Sequence, residues 1–276
     1  MAKPSTSSIV TMVSEPATSE IACKPDYRIS IRTLCLLGAL LPGFGCYACI
    51  AYTYLFQLDK VLNFVSSHCP NVKSPFPPVS YSIGVWEPQR FFWLLILCIH
   101  LPPRLFFAVI YTRQYRLGKS EHQKSVWFRR VMYAHMRFLI LEPLGLVCVS
   151  VIDIDSHFLI HAICYSVWII SFNFNMLLNT ILHHYSGYRT LHDNHDCTFQ
   201  IKRLMFIIGC PLAISTGVSY LTYVYYCINF SYAAFSVAEY IIVGFNSMFY
   251  FLIVWEMGDS HIDMTLGNLG KALQDA

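Results

Sequence analysis

Charged side chains are scarce in this chain. Asp, Glu, Lys and Arg make up only 13% of its 276 residues, about half the share found in soluble domains. Hydrophobic residues make up 55%, and the mean hydropathy is +0.48. A water-soluble fold of this size needs more charge on its surface. The composition therefore excludes a soluble enzyme, a disordered chain and a small disulfide-held secreted module, and it indicates a protein that crosses a membrane several times.

Signatures of known enzymes are also missing. The sequence contains no His-x4-Asp acyltransferase box, no G-x-S-x-G nucleophile elbow, no phosphate-binding Walker loop and no H-E-x-x-H zinc helix. The residues alone therefore identify no reaction, and we expect neither a cofactor nor a nucleic-acid partner.

Six windows are long and apolar enough to cross a bilayer, which takes about 20 residues each. Their approximate bounds are 34–56, 91–112, 131–152, 158–182, 204–228 and 232–255. The apolar runs are continuous and do not alternate, which argues against a transmembrane β-barrel. We therefore predict an all-α polytopic membrane bundle with its membrane domain at 34–256. A disordered tail at 1–33 and a second tail at 257–276 are expected to flank it.

The distribution of Lys and Arg predicts the orientation of these spans. Fourteen of them lie in the tails and connections on one side, and three lie on the other side. Because cytosolic loops carry the excess of Lys and Arg, we expect both termini in the cytosol. The connections after the first, third and fifth spans then lie on the lumenal side.

Ionisable residues inside membrane spans are costly and mark functional sites. At a rise of about 1.5 Å per residue, His100 and Glu142 fall near the midplane. Arg104 lies one turn nearer the cytosol than His100, on the same helix face. One interpretation is an Arg104–Glu142 ion pair that fixes helix register. The other is a polar cavity that binds a lipid phosphate or ester, with His100 as a general base.

Two cysteines differ from the others, most of which lie within spans as small core residues. Cys69 lies in the first predicted lumenal loop, and Cys227 lies at the lumenal end of the fifth span. An oxidising lumen permits a disulfide between them, and two free thiols are the alternative.

The fourth connection, residues 183–197, is rich in histidine. Imidazole and thiolate groups suit zinc, and this segment contains His183, His184, His192, His195 and Cys197. Their spacing fits no standard zinc pattern, so we expect a solvated cytosolic loop and predict no metal site.

The spaced motif Ile83-Gly84-x3-Pro88-Gln89-Arg90, followed by His100-x2-Pro103-Arg104, resembles the post-GPI attachment to proteins factor 2 family. That family is part of a wider group with the FGF-receptor-activating protein and the damage-regulated autophagy modulators. The resemblance covers about residues 27–259. Further matching positions are Cys69, Glu142, Ile160-His161, Cys227, Glu239-Tyr240 and Asn246.

The resemblance implies a multi-pass protein of the Golgi membrane, with the endoplasmic reticulum membrane as the alternative. It implies support for lipid remodelling of glycosylphosphatidylinositol (GPI) anchors, in which a saturated acyl chain is restored, and so for stable surface expression of GPI-anchored proteins. The implied partners are GPI-anchored proteins and membrane lipids. An acyl donor joins them if the chain is itself an acyltransferase rather than an accessory.

The resemblance, together with the positions of ionisable residues inside the predicted spans, gives a set of candidate site residues. The candidate catalytic base is His100, and the polar set for a lipid head group or a structural role is Arg90, Arg104, Glu142, His161, Glu239 and Asn246. Two other functions stay open: a non-enzymatic regulator of trafficking or autophagy, and a small lipid or solute transporter.

Overall fold

The computed structural model of the chain describes residues 27–66, 68–257 and 261–264. The predictions for the two tails fall largely outside these ranges. In the described residues the helical unit contains eight α-helices: α1 (Ile31–Phe56), α2 (Leu58–Leu62), α3 (Val79–Gly84), α4 (Gln89–Leu117), α5 (Val126–Val151), α6 (Phe158–Tyr185), α7 (Asp193–Tyr226) and α8 (Asn229–Met257). Strands β1 (Tyr27–Ser30) and β2 (His261–Met264) pair in a two-stranded sheet.

Six of these helices are long and apolar enough to cross a membrane: α1, α4, α5, α6, α7 and α8. The predicted all-α six-span fold class is therefore confirmed. Most of the helices extend past the apolar windows, and α7 does so furthest, since it begins at Asp193 rather than near residue 204. Asp193 and Asp196 in its first turn favour a helix N-terminus, because their charge opposes the positive end of the helix dipole. Hydropathy does not detect such a polar helix start.

The helices pack as a bundle in which α1 contacts both α4 and α8, α5 pairs with α6, and α7 pairs with α8. Gly38 lies where α1 passes close to α4. A Cβ atom at Gly38 would lie 3.0 Å from the Phe107 ring and 3.4 Å from the Arg104 backbone nitrogen. The absence of a side chain at Gly38 thus brings the α1 backbone within reach of Arg104.

The connection between α1 and α4 carries the short helices α2 and α3 and is tied to the end of α7 by a disulfide. Cys69 and Cys227 form this bond with a Cα–Cα distance of 5.7 Å. Cys227 follows α7 in the left-handed conformation, with φ of 50°. We call this end of the bundle the disulfide end, and the other the Lys202 end. The Lys and Arg distribution predicts that the disulfide end is lumenal.

The histidine-rich connection differs from the expected solvated loop. His183 belongs to α6 and is fully buried, and His195 lies in α7 and is also buried. The linking segment is shorter than predicted because α7 begins at Asp193, and Gly187, with φ of 78°, turns the chain between the two helices. Among the described residues no group of three or more His, Cys, Asp and Glu side chains is arranged to hold a metal ion.

Candidate functional site

Arg104 of α4 and Glu142 of α5 meet inside the bundle. Arg104 Nη2 donates to Glu142 Oε1 at 2.7 Å, and each side chain is only 2% exposed. The guanidinium also donates to the Asn246 side chain at 3.1 Å and, across the close approach described above, to the Gly38 carbonyl at 3.1 Å. The sequence predicts similar membrane depths for Arg104 and Glu142, and the structure brings the two side chains into direct contact.

The ion pair is part of a larger hydrogen-bond network. Asn246 Nδ2 donates to Glu142 Oε1 at 2.5 Å, and the Tyr250 hydroxyl donates to Glu142 Oε2. Asn175 of α6 donates in turn to the Tyr250 hydroxyl. The Arg104 guanidinium carbon lies 3.0 Å from the centre of the Tyr250 ring, a cation–π arrangement. The network joins α1, α4, α5, α6 and α8.

His100 is buried on α4 next to the α1 backbone at Leu37 and Gly38. It lies one turn from Arg104, as its spacing predicts, and it does not line either of the two cavities near Ser80 and Glu239. A general base must come within hydrogen-bond reach of the proton that it removes. The catalytic role of His100 stays a prediction.

The larger cavity has a volume of about 490 Å³ and lies at the disulfide end between α6, α7 and α8. The connection between α1 and α4 contributes Ser66, His68 and Ser80 to its lining. Phe158 and Leu221 line it as well and are 47% and 55% exposed on the outer surface of the bundle. The cavity is therefore open to the surface of the bundle.

Two of the predicted residues, His161 and Glu239, line this cavity and are buried. His161 Nε2 lies 2.9 Å from the Ser80 hydroxyl, and His161 Nδ1 lies 2.8 Å from the Ile152 carbonyl oxygen. Glu239 Oε2 accepts a hydrogen bond from the Val79 backbone N–H at 3.1 Å. Most other walls are apolar or aromatic, which is typical of a binding pocket with a few oriented polar groups.

A second cavity of about 50 Å³ lies between this site and the ion-pair network. Glu239 and Ser80 line both cavities, and Asn246, a partner of Arg104 and Glu142, lines the smaller one. The structure therefore places His161, Glu239 and Asn246 along two adjacent cavities. Arg90 is different: it is half-buried near the start of α4 and lines neither of these two cavities.

Glu239 positions the segment that precedes Ser80, which predicts a difference between two substitutions. Glu239→Gln keeps an oxygen that can accept from Val79, so we expect little loss of thermal stability. Glu239→Ala leaves a buried N–H without its acceptor, at a cost of about 1–3 kcal/mol. Thermal unfolding of the purified variants checks this, and equal destabilisation by both would show that the charge matters rather than the acceptor.

The disulfide holds the outer lining of the larger cavity. Ser66 and His68, close to Cys69, line it, and His68 Nε2 lies 3.2 Å from the Val224 carbonyl oxygen on α7. The bond thus fixes the connection between α1 and α4 across the end of α7.

Loss of this disulfide is expected to destabilise the protein. Cys69→Ser or Cys227→Ser should cost about 2–5 kcal/mol, whereas Cys98→Ser, which replaces an exposed free thiol on α4, should cost little. Mass spectrometry of unreduced peptides should recover Cys69 linked to Cys227. Recovery of both thiols alkylated after rapid quenching would contradict the pairing.

A second buried ion pair lies at the Lys202 end, and sequence reasoning missed it. Lys202 Nζ lies 2.7 Å from Glu256 Oε1, and both side chains are 0% exposed. Gln114 Nε2 donates to Glu256 Oε2 at 2.5 Å, and the Tyr188 hydroxyl donates to the Glu256 carbonyl at 3.2 Å. Burial, and then the charge of Glu256, raise the pKa of the Tyr188 phenol.

The fold and its buried groups define a polytopic membrane protein with an internal cavity that opens to the surface of the bundle. The family model of the Frag1/DRAM/Sfk1/Cwh43P N-terminal domain matches residues 30–260. The chain therefore belongs to that family, as the motif resemblance predicts.

Comparison with curated proteins identifies relatives that match most of this chain. The chain is 26% identical to "Post-GPI attachment to proteins factor 2-like" of Drosophila melanogaster, over 95% of this chain and 80% of that protein. It is 28% identical to "Post-GPI attachment to proteins factor 2" of the same organism, over 83% and 87% of the two chains. It is 22% identical to "Acyltransferase PGAP2" of Xenopus tropicalis, over 90% and 95%. No solved structure matches the chain.

Proposed function

We propose that this protein acts in the maturation of GPI-anchored proteins, in the Golgi membrane, by remodelling the lipid of their anchors. Its relatives carry names that refer to GPI attachment, and one is named an acyltransferase. The main structural support for this proposal is the cavity of about 490 Å³ between α6, α7 and α8.

The size and lining of the cavity suit part of a lipid. Small-molecule sites occupy about 300–1,000 Å³ and combine apolar walls with a few polar groups. Here aromatic and aliphatic side chains form most of the wall, and Ser80, His161 and Glu239 supply polar groups. An acyl chain can enter from the lipid-facing side, while its ester group meets the polar side chains.

The predicted orientation agrees with this substrate. GPI anchors reside in the lumenal leaflet, and the Lys and Arg distribution predicts that the disulfide end, with the cavity, lies on the lumenal side. A protein that remodels an anchor needs its binding site at that depth. The ion-pair network then has a supporting role, because it fixes the helices behind the cavity.

Gly217 of α7 offers a way to block the cavity with little disturbance of the fold. Gly217 lines the cavity, and a Cβ atom there would meet no other atom within 4 Å. The neighbouring Val218 is 57% exposed and lies outside the cavity lining. Phe at these two adjacent positions gives a matched pair, one variant that occupies the cavity and one that faces lipid.

We expect cells that lack this protein to lose GPI-anchored reporters from their surface. Wild type and Val218→Phe should restore the reporters, and Gly217→Phe should not, at equal protein abundance. Anchor lipids analysed by mass spectrometry should show the matching loss of remodelled acyl chains. Unchanged reporters in cells without the protein would contradict the function, and full rescue by Gly217→Phe would contradict the cavity as its site.

A further inference from the structure

Ser80 and His161 form a hydroxyl–imidazole pair whose hydrogen-bond directions can be worked out. His161 Nδ1 faces the Ile152 carbonyl oxygen at 2.8 Å, and a carbonyl can only accept. In the neutral ring Nδ1 must therefore carry the proton, which leaves Nε2 with a free lone pair. Nε2 then accepts from the Ser80 hydroxyl at 2.9 Å.

Ser80 differs in this respect from other serines of the bundle. The hydroxyls of Ser150 and Ser236 donate to backbone carbonyls one turn earlier in their own helices, where they are inert. Ser80 instead donates to a nitrogen base. It is half-buried and, with His161, lines the larger cavity, so a carbonyl carbon held there can reach its oxygen.

The geometry points to Ser80 as an acyl-accepting nucleophile and His161 as its general base, an inference that rests on the proposed function. It is the arrangement that nucleophilic catalysis requires: a hydroxyl within reach of a base that a third group orients. The Ile152 carbonyl is that third group. Glu239 has a positioning role, because it holds Val79, the residue before Ser80.

The first step takes an acyl ester or thioester as donor. Ser80 Oγ attacks the acyl carbon while His161 Nε2 removes the hydroxyl proton. The bond between the acyl carbon and the leaving oxygen or sulfur breaks, and the imidazolium returns the proton to that leaving group. The products are an acyl ester on Ser80 and a free alcohol or thiol.

The second step transfers the acyl group to a lysolipid. His161 Nε2 removes the proton from a free hydroxyl of the lysolipid, whose oxygen attacks the acyl carbon of the serine ester. The new ester forms, the bond to Ser80 Oγ breaks, and the imidazolium returns its proton to Ser80. No electrons are exchanged with an oxidant or reductant.

A lipid-like serine probe tests this pair directly. The purified full-length protein, in nanodiscs, is treated with hexadecyl fluorophosphonate, and its peptides are analysed by mass spectrometry. We expect one adduct per chain, on Ser80. Ser80→Ala should abolish it, and His161→Asn, which keeps a donor to Ile152 but no base, should slow labelling by about 100-fold or more.

Ser82→Ala is the matched control. Ser82 lies on the same short helix, and its hydroxyl has no hydrogen-bond partner among the described residues, so this variant should label like wild type. Wild-type protein that takes no adduct, or takes it at another residue, would overturn the inference. This result does not depend on whether any variant folds.

Cell rescue separates this inference from the proposed function. If loss of the protein removes GPI-anchored reporters and Ser80→Ala restores them fully, the assignment of Ser80 as nucleophile is wrong and the proposed function is supported. If Ser80 is labelled but cells without the protein keep normal anchors, the proposed function is wrong and the assignment of Ser80 as nucleophile is supported. Failure of Ser80→Ala at normal abundance, with rescue by Ser82→Ala, is the result expected if both are right.

Discussion

Arg104→Ala or Glu142→Ala alone is expected to destabilise the protein by about 3–5 kcal/mol, because each leaves an opposite charge buried without its partner. Both side chains are 2% exposed, so water cannot replace the lost contact. Arg104→Ala leaves the carboxylate with only neutral donors from Asn246 and Tyr250. Glu142→Ala leaves the guanidinium with the Asn246 oxygen and the Gly38 carbonyl. Thermal unfolding in detergent measures the loss.

The double substitution separates a structural pair from a ligand site. If the pair only fixes helix packing, Arg104→Met with Glu142→Leu should recover much of the stability and the reporter rescue together. Recovery of stability and localisation without rescue would instead place the pair in lipid binding. Arg137→Ala is the matched control, because Arg137 is an exposed arginine within a span and stacks on Tyr133. An equal loss with Arg137→Ala would contradict the argument from burial.

Loss of the Lys202–Glu256 pair is expected to destabilise the protein as much as loss of the Arg104–Glu142 pair, although Lys202 and Glu256 lie near the ends of the predicted apolar windows. Lys202→Met leaves the Glu256 carboxylate buried with Gln114 as its nearest neutral donor, and a cost of about 3–5 kcal/mol follows by the same reasoning. Because Glu256 is in the last turn of α8, the pair ties the end of that helix to α7. Thermal unfolding should show this loss at the Lys202 end of the bundle.

The neighbouring residue supplies the control for this second pair. Arg203 follows Lys202 on α7 but is exposed, so Arg203→Ala should leave the melting temperature nearly unchanged. Lys202→Met combined with Glu256→Gln should recover part of the stability, since no net charge then stays buried. A melting temperature of Lys202→Met equal to that of Arg203→Ala would rule out a stabilising role for the pair.

Much of the membrane architecture could be predicted, because it follows from hydropathy and charge averaged over long windows of the chain. Hydropathy gives six spans since each must match the bilayer thickness. The Arg104–Glu142 contact could also be anticipated, because depth follows from the helix rise and a buried charge needs a partner. The motif resemblance singled out Asn246, whereas Tyr250, which completes the network, gave no such signal.

The buried Lys202–Glu256 pair was missed for a physical reason. Lys202 and Glu256 lie just outside the predicted apolar windows, in polar sequence. There a sequence pattern cannot distinguish a solvated loop from a continuing helix. The helix α7 begins before Lys202, so that residue faces the bundle rather than water. His183 and His195 were interpreted as loop residues for the same reason.

The Ser80–His161 pair carries no local signature either. The two residues are 81 positions apart, and Ser80 lies on a helix of six residues within a connection. Neither periodicity nor a short motif brings such residues together, and only the packing of α3 against the bundle does so. Sequence singled out His161 and Glu239 as ionisable residues in spans, but their shared cavity is visible only in the fold.

Acyl transfer by the purified protein tests the central claim most directly. Full-length protein in vesicles is supplied with a lyso-GPI acceptor and a labelled acyl ester or thioester, and the diacylated product is measured. Wild type and Val218→Phe should form it, and Gly217→Phe, with the cavity occupied, should not. Equal product from Gly217→Phe, or none from folded wild-type protein with its Cys69–Cys227 bond intact, would contradict the account.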